Sequence, residues 1–292
     1  MNPRTLSGMF WILLACLLSC FNDVMCKSLG GHLHAINVLF FRFLFSTLLF
    51  LPWVITQRKT FYTKHLGIHA LRGLLFSCAM LPWCYGIIAL PLPLITTISF
   101  AVPLFVTLLA QIFLRESVGF RRMGAVVIGF IGVMVGSGAY YTGEHGLFVG
   151  LALLATFMFA VLDVVNKKLL ILHEGFAPMM FFSSLWTMLF TFPLAWMHWQ
   201  TPNTTELGWL ILLGIGANGL LGCLLKASSC CDLSALQPLR YTEFIFSCVF
   251  SILIFHEQPT FQVLCGLAFI VPTTLYLGHH ELRLEKNKLQ SL

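Results

Sequence analysis

Six charged side chains lie inside stretches of sequence that are otherwise apolar: Asp23, Arg42, Asp163, Lys226, Arg240 and Glu243. A charge at the centre of a membrane helix costs about 2.5–3.5 kcal/mol or more unless it is paired or hydrated. Six such groups are too many to face lipid. We therefore expect them to face a common interior, where they pair with one another or bind a charged ligand.

Arg240 and Glu243 are the strongest candidates for binding a ligand. They lie three residues apart, on one face of a helix, so they can offer a cation to a carboxylate and an acid to an ammonium group. Tyr241 lies beside them, and Arg42 stands between two phenylalanines in the stretch FFRF. The alternative is that Arg240 and Glu243 pair with each other, or that Lys226 neutralises Glu243.

The stretch FNDVMCK places Asn22, Asp23 and Lys27 in the far half of the first apolar segment. Asn22 is a candidate for substrate binding. Asp23 and Asp163 each precede a lysine by four residues, a spacing that allows an ion pair within one helix. We expect such pairs to act in gating or as scaffold, with direct contact to substrate or a proton as the alternative. Lys27 lies near a helix end, where it can reach the membrane surface.

The elements that must position these residues are membrane helices. Of the 292 residues 58% are hydrophobic and 10% are charged, and the mean hydropathy of +0.88 is far above that of soluble domains. A helix needs about 20 apolar residues to cross a bilayer. The chain is predicted to be an all-α integral membrane protein, with ten such segments near 8–29, 34–56, 67–90, 93–114, 121–141, 146–172, 176–198, 206–230, 234–256 and 260–279.

The lysine and arginine residues predict the orientation of these segments. With the N-terminus cytoplasmic, thirteen of them fall on the inside and only Lys27 falls at an outer helix end. Both termini are therefore predicted to be cytoplasmic. The net charge of +6 is then explained by topology and anionic lipid, with no nucleic-acid partner. The first helix lacks a small-residue cleavage site, so we expect it to be retained.

The sequence disfavours other classes of chemistry. Most of the ten cysteines fall inside predicted helices without metal-ligand spacing, so we expect no metal and no cofactor. The motifs HExxH and GxSxG are absent from the sequence, which disfavours an enzyme. No filter-like motif indicates a channel.

The two halves of the chain resemble each other. NDVMCK at 22–27 recurs as LDVVNK at 162–167, and FLRE ending in Glu116 corresponds to IFHE ending in Glu257. The order persists through a half-chain, which predicts a duplicated unit over 1–141 and 142–280, followed by a cytoplasmic tail at 281–292. Because each unit has five helices, the second enters the membrane inverted, as in many secondary transporters.

These features resemble the EamA-type branch of the drug/metabolite transporter superfamily. The segments NDVMCKSLG, FFRFLFS, PWCYGI, LDVVNKK and PLRYTE are similar, in order, to those of S-adenosylmethionine uptake transporters of obligate intracellular bacteria. The resemblance implies alternating-access import of S-adenosylmethionine across the inner membrane, in exchange for S-adenosylhomocysteine, by a monomer or homodimer. Export of amino acids or other small metabolites or drugs by the same fold is the alternative.

The implied substrate assigns a role to aromatic residues. A sulfonium cation sits well over an aromatic face, and adenine stacks on aromatic rings. Trp83, Tyr85 and Phe100 are candidates, together with Tyr241. The alternative for each is packing, because the chain has 28 phenylalanines. Pro103, near the start of the fourth segment, is expected to loosen its backbone.

Overall fold

The computed structural model describes residues 3–57, 61–113, 120–140, 145–171, 175–230 and 239–290, which are helical with no strand. The first-half helices are α1 (Pro3–Gly30), α2 (Ala35–Thr56), α3 (Leu66–Ala89), α4 (Leu92–Ser99), α5 (Val102–Phe113) and α6 (Phe120–Ser137). The second-half helices are α7 (His145–Ile171), α8 (Phe176–Met197), α9 (Thr204–Cys230), α10 (Thr242–Phe250) and α11 (Phe261–Gln290). A π-helical turn, Ser251–Phe255, continues α10.

Seven stretches of the described chain are long and apolar enough to cross a membrane. One of them, Leu92–Leu109, runs through α4 and α5. Three further apolar helices are shorter: Met123–Ser137, Thr242–Phe255 and Phe261–Leu277. These ten segments fall at the ten positions that the sequence predicts. Many large apolar side chains on their outer faces are exposed, such as Phe10, Ile55, Trp196 and Leu253, as expected for surfaces that contact lipid.

The structure differs from the predicted segments at two places. The fourth segment, predicted as continuous over 93–114, breaks at Phe100 and Ala101 between α4 and α5. Pro103 follows this break, and its missing N–H cannot continue a helical ladder. The last helix, predicted to end near 279, continues to Gln290. The predicted tail therefore begins as helix.

Helix contacts between the two halves follow a reciprocal pattern. The five segments of the first half are α1, α2, α3, α4 with α5, and α6; those of the second half are α7, α8, α9, α10 and α11. The first segment of each half packs on the third segment of the other half: α1 packs on α9, and α7 packs on α3. The third segment of each half also packs on the second segment of the other half: α3 packs on α8, and α9 packs on α2. The fourth of each half packs on the first of the other (α5 on α7, α10 on α1). The second, fourth and fifth segments of each half pack on the equivalent segment of the other half: α2 on α8, α4 on α10 and α6 on α11.

Glycines bring the fifth segments, α6 and α11, into backbone contact. A Cβ atom added at Gly266 would lie 2.5 Å from the Gly132 carbonyl oxygen and 2.6 Å from the Gly136 Cα atom. Small residues spaced by four along a helix allow this approach in membranes. The contact fixes α6 and α11 side by side, away from most of the polar interior.

Candidate functional site

A cavity of about 530 Å³ lies between the two halves, within the range of small-molecule sites. Nine of the twelve predicted site residues line it: Asn22, Asp23, Arg42, Trp83, Phe100, Asp163, Arg240, Tyr241 and Glu243. They come from both halves, so the structure brings together residues that are more than 200 positions apart in sequence. The roles assigned to them remain predictions.

Two helix breaks form part of the cavity wall. Phe100 ends α4 with φ −67° and ψ −7°, and Tyr241 precedes α10 with φ −71° and ψ −11°. The two residues are 141 positions apart, the same spacing as Glu116 and Glu257 in the predicted repeat, and their rings contact edge to face with centroids 5.0 Å apart. Paired interruptions of this kind, at equivalent positions in two halves, are typical of transporter binding sites.

Helix α1 holds the start of α10 in place through its cysteines. The Cys16 thiol donates to the Arg240 carbonyl oxygen at 3.8 Å, and the Cys20 thiol donates to the Glu243 carbonyl oxygen at 3.1 Å. These weak bonds tie the backbone carbonyl groups at the start of α10 to α1. The side chains of Arg240 and Glu243 both belong to the cavity lining.

The charged side chains of the cavity are close but not locked together. Arg240 lies within electrostatic reach of both Glu243 and Asp163, and Arg42 within reach of Asp23. Among the described residues, however, the only ion pair within 4.0 Å is elsewhere. Arg240 and Glu243 therefore do not form the close mutual pair that the sequence left open, and Glu243 is hydrogen-bonded to Ser19 instead.

That one ion pair corrects the prediction for Lys27. Its ammonium contacts both carboxylate oxygens of Glu257, at 2.6 and 2.8 Å, rather than Asp23. It also donates to the Leu90 carbonyl oxygen at 2.9 Å and lies 4.9 Å from the centroid of the Phe255 ring. The local spacing of four residues suggested Asp23, but Lys27 reaches across to the far end of the α10 segment. The corresponding side chains, Lys167 and Glu116, lie outside the described residues.

Two other candidates, Tyr85 and Lys226, do not line the cavity among the described residues. Tyr85 lies near the end of α3, where its ring contacts His34 edge to face with centroids 6.0 Å apart. Lys226 is exposed on α9. In the part of the chain that the structure describes, no group of three or more His, Cys, Asp or Glu side chains is placed to hold a metal ion.

Comparison with protein families now identifies the fold. Residues 6–137 and residues 147–278 each match the EamA-like transporter family. The chain belongs to the EamA-like transporter family. Together with the seven helices of membrane-spanning length, this makes it a multi-pass membrane protein.

Several proteins resemble this EamA-like transporter over nearly its whole length. An S-adenosylmethionine uptake transporter of Rickettsia prowazekii (strain Madrid E) is 37% identical, over 98% of this chain and 97% of the relative. A riboflavin transporter of Vibrio cholerae is 28% identical, over 94% of each. A crystal structure aligns with a TM-score of 0.63 and 16% identity, covering 94% of this chain and 96% of the other, a likeness in fold alone.

The cavity of this EamA-like transporter also contains aromatic residues that the sequence did not single out. Phe159 on α7 contacts the Trp83 ring edge to face, with centroids 5.8 Å apart, and Phe76 on α3 lies 6.2 Å from Phe159. Met80 lines the same wall. Nothing in the sequence separates these residues from the many that pack in the core. Trp83 also comes within hydrogen-bonding reach of the Asp23 carboxylate.

Arg72 is a further buried charged residue that the sequence did not single out for the site. Only 8% of it is exposed, and its guanidinium donates to the Met179 carbonyl oxygen of α8. It also lies within electrostatic reach of Asp163. Arg72, near the start of α3, therefore adds a positive charge close to the Asp163 carboxylate of the cavity.

Proposed function

We propose that the protein imports S-adenosylmethionine across the cytoplasmic membrane by alternating access. The observation that carries this proposal is the 37% identity, over 98% of the chain, to a protein named an S-adenosylmethionine uptake transporter. The riboflavin transporter is a more distant relative, at 28% identity. Riboflavin or another ring-containing metabolite is accordingly the second candidate cargo, with export as the other possible direction.

The charges of the cavity support a cationic, amino-acid-like substrate. The lining has two arginines, Arg42 and Arg240, and three acids, Asp23, Asp163 and Glu243. With all five ionised, the cavity carries one net negative charge. S-adenosylmethionine carries a carboxylate, an ammonium group and a sulfonium group, and so one net positive charge. The acids can therefore compensate the sulfonium while Arg240 binds the carboxylate and Glu243 the ammonium.

The aromatic walls suit the rest of the molecule. Trp83, Phe159 and Phe76 form one connected group, and Phe100 with Tyr241 forms another. Aromatic faces attract a sulfonium cation and stack with adenine. Tyr241 is held in place because its hydroxyl is hydrogen-bonded to Thr274. A rigid ring beside Arg240 favours an ordered substrate pose.

We further propose that all ten segments cross the membrane as two inverted five-helix repeats with both termini cytoplasmic. Reciprocal packing between the halves, the two successive family matches and the distribution of lysine and arginine support this arrangement. A reporter fused at Leu292 is expected to read out as cytoplasmic. An extracytoplasmic readout would contradict the topology.

The state of the structure fits one end of an alternating-access cycle. The cavity lining includes Leu220 and Leu224 on α9, toward the helix end that is predicted to be cytoplasmic, and runs from Ala15 to Asp23 in the middle of α1. The Lys27–Glu257 pair lies beyond Asp23, near the end of α1 that is predicted to face outward. We propose that this pair closes the outer side while the cavity faces the cytoplasm.

Exchange for S-adenosylhomocysteine gives the mechanism a measurable charge balance. S-adenosylhomocysteine lacks the sulfonium and is neutral overall, so each exchange cycle moves one net positive charge inward. An inside-negative potential favours that movement by about 2.3 kcal/mol per 100 mV. Uptake into liposomes that hold S-adenosylhomocysteine should therefore accelerate when a potassium-diffusion potential makes the interior negative.

The deciding experiment is uptake of radiolabelled S-adenosylmethionine into proteoliposomes, either empty or preloaded with S-adenosylhomocysteine. We expect uptake that is strongly stimulated by preloading and resistant to excess leucine, threonine or riboflavin. Protein-free liposomes and a version with the Arg240→Ala substitution are the controls. Absence of uptake, with riboflavin or simple amino acids transported instead, would favour the second candidate.

A further inference from the structure

Asn22 is a buried amide that faces the cavity without a hydrogen-bond partner. It is only 2% exposed, and it belongs to the cavity lining. Neither its amide nitrogen nor its amide oxygen is hydrogen-bonded within the described part of the chain. Leaving a buried polar group unpaired is costly, so the lining has a donor and an acceptor that a ligand can satisfy.

The protein fixes this side chain in position through Gly216 on α9. A Cβ atom added at Gly216 would lie 2.5 Å from the Asn22 Oδ1 atom and 3.4 Å from Cγ. Only glycine leaves room for the amide at this point. The α9 backbone at Gly216 therefore lies against the Asn22 amide and holds it in the cavity lining.

The position of Asn22 along α1 separates it from Arg240, although Glu243 lies nearer, since its carbonyl oxygen bonds the Cys20 thiol. The Cys16 thiol bonds the Arg240 carbonyl oxygen, and Asn22 follows Cys16 by six residues, which is about 9 Å along a helix axis. Its neighbour Asp23 is within reach of the Trp83 indole. The cavity thus offers the Arg240 cation at one level of α1 and, about 9 Å further along, an amide next to an aromatic ring, as an extended adenosyl amino acid requires.

We infer that Asn22 reads the amino edge of adenine, with Trp83 providing the stacking face. This inference rests on the proposed function and assigns a specificity-determining residue to it. An amide matches adenine with two hydrogen bonds, because its oxygen accepts from the 6-amino group and its NH₂ donates to a ring nitrogen. Acids at the same place could accept but not donate when ionised.

The test is a cycle of two proteins and two ligands. Binding of S-adenosylmethionine, and of its analogue with hydrogen in place of the 6-amino group, is measured by calorimetry on the detergent-purified protein and its Asn22→Leu variant. The unsubstituted protein should prefer the amino-bearing ligand by about tenfold or more, because loss of the amino group leaves a buried amide oxygen unpaired. In Asn22→Leu the preference should shrink to within about twofold.

A second pair of variants covers the case in which Asn22→Leu does not fold. Gly216→Ala presses directly on the Asn22 amide, whereas the same change at Gly219, on the same helix, meets nothing closer than Leu18 Cδ1 at 3.6 Å. Gly216→Ala should reduce the tenfold preference, and Gly219→Ala should leave it unchanged. The pair differs in contact with Asn22 but not in the chemistry of the substitution.

The outcomes separate this inference from the proposed function. Binding of S-adenosylmethionine with no preference over the analogue, or with the same preference in Asn22→Leu and Gly216→Ala as in the unsubstituted protein, would refute the role of Asn22 and leave the proposed function standing. If the unsubstituted protein binds neither ligand, the proposed function itself fails and the role of Asn22 falls with it.

Discussion

Breaking the Lys27–Glu257 pair should open the end of the transporter that we propose it closes. Lys27 is only 9% exposed in its side chain and Glu257 is 31% exposed. The change Lys27→Met removes three contacts, two to the carboxylate and one to the Leu90 carbonyl oxygen, whereas Glu257→Gln removes only the charge of one partner. We therefore expect Lys27→Met to be the more damaging substitution.

The size of the effect follows from the geometry. Two unit charges about 3 Å apart attract by roughly 5 kcal/mol at an effective dielectric constant of 20. Desolvation offsets much of this attraction. A net coupling of about 1.5–3 kcal/mol remains, the range for hydrogen bonds to charged groups. Such a coupling would shift an equilibrium between inward-facing and outward-facing states by roughly 10- to 150-fold.

The coupling is measured as a double-mutant cycle in unfolding free energy by SDS titration in mixed micelles, alongside uptake kinetics. Each single variant should lose stability and turnover, and the KM for uptake should fall because the outward-facing state becomes more populated. The charge-swapped variant, Lys27→Glu with Glu257→Lys, should recover part of both losses. Lys64→Met, an exposed lysine outside the bundle, is the matched control and should behave like the unsubstituted protein.

Two results would refute this reasoning. A coupling below about 0.5 kcal/mol would place the pair among the surface ion pairs that contribute little. Normal turnover and KM in Lys27→Met, with reduced stability alone, would mean that the pair is a structural clamp with no part in closing the cavity.

Three further predictions concern the cavity and the outer surface. Arg240→Ala should weaken binding of S-adenosylmethionine at least tenfold, whereas a double variant with Glu243→Gln that regains stability and uptake would show the pair to be scaffold. Asp23→Asn should lower the affinity for S-adenosylmethionine while the protein is still expressed at a normal level, because Asp23 lines the cavity and Lys27 pairs with Glu257 instead. A loss of turnover with unchanged affinity in calorimetry would contradict this prediction. Burial, and the charge of the stacked His198 ring 4.6 Å away, lower the pKa of His34, so thermal stability should fall as the pH drops below about 6.5. His34→Gln should remove this dependence, and an unchanged pH profile would refute it.

Much of the fold could be predicted from the sequence because apolar length and breaks are local signals. The ten segments and the shared interior of Arg240, Tyr241 and Glu243 follow from hydropathy and the cost of intramembrane charge. The helix end at Phe100 was not predicted, because a single proline such as Pro103 allows a membrane helix to break but does not require it to. Its conformation depends on packing against Tyr241 from the other half of the chain.

Pairing of charges was the least predictable feature. The spacing of Asp23 and Lys27 favours an intrahelical pair, whereas the structure pairs Lys27 with Glu257, 230 residues away. Such a partner is visible only once α1 and the α10 segment are known to pack together. Phe159 was not predicted as a site residue for a related reason, because the sequence around a phenylalanine does not distinguish a position in a cavity wall from one in the packed core.

The two helix breaks also bear on how the cargo of such a protein can evolve. If one gene segment was copied to make both halves, each break began as an identical pair, yet a single asymmetric ligand needs only one set of contacts. One copy was then free to acquire Arg240 and Glu243, while the other has Ser99 and Val102 at the matching positions. Cargo preference can therefore drift through residues 240–243 without disturbing the hinge shape that both copies share. Directed evolution aimed at a new cargo should accumulate changes on that side of the cavity, and leave residues 99–103 largely untouched.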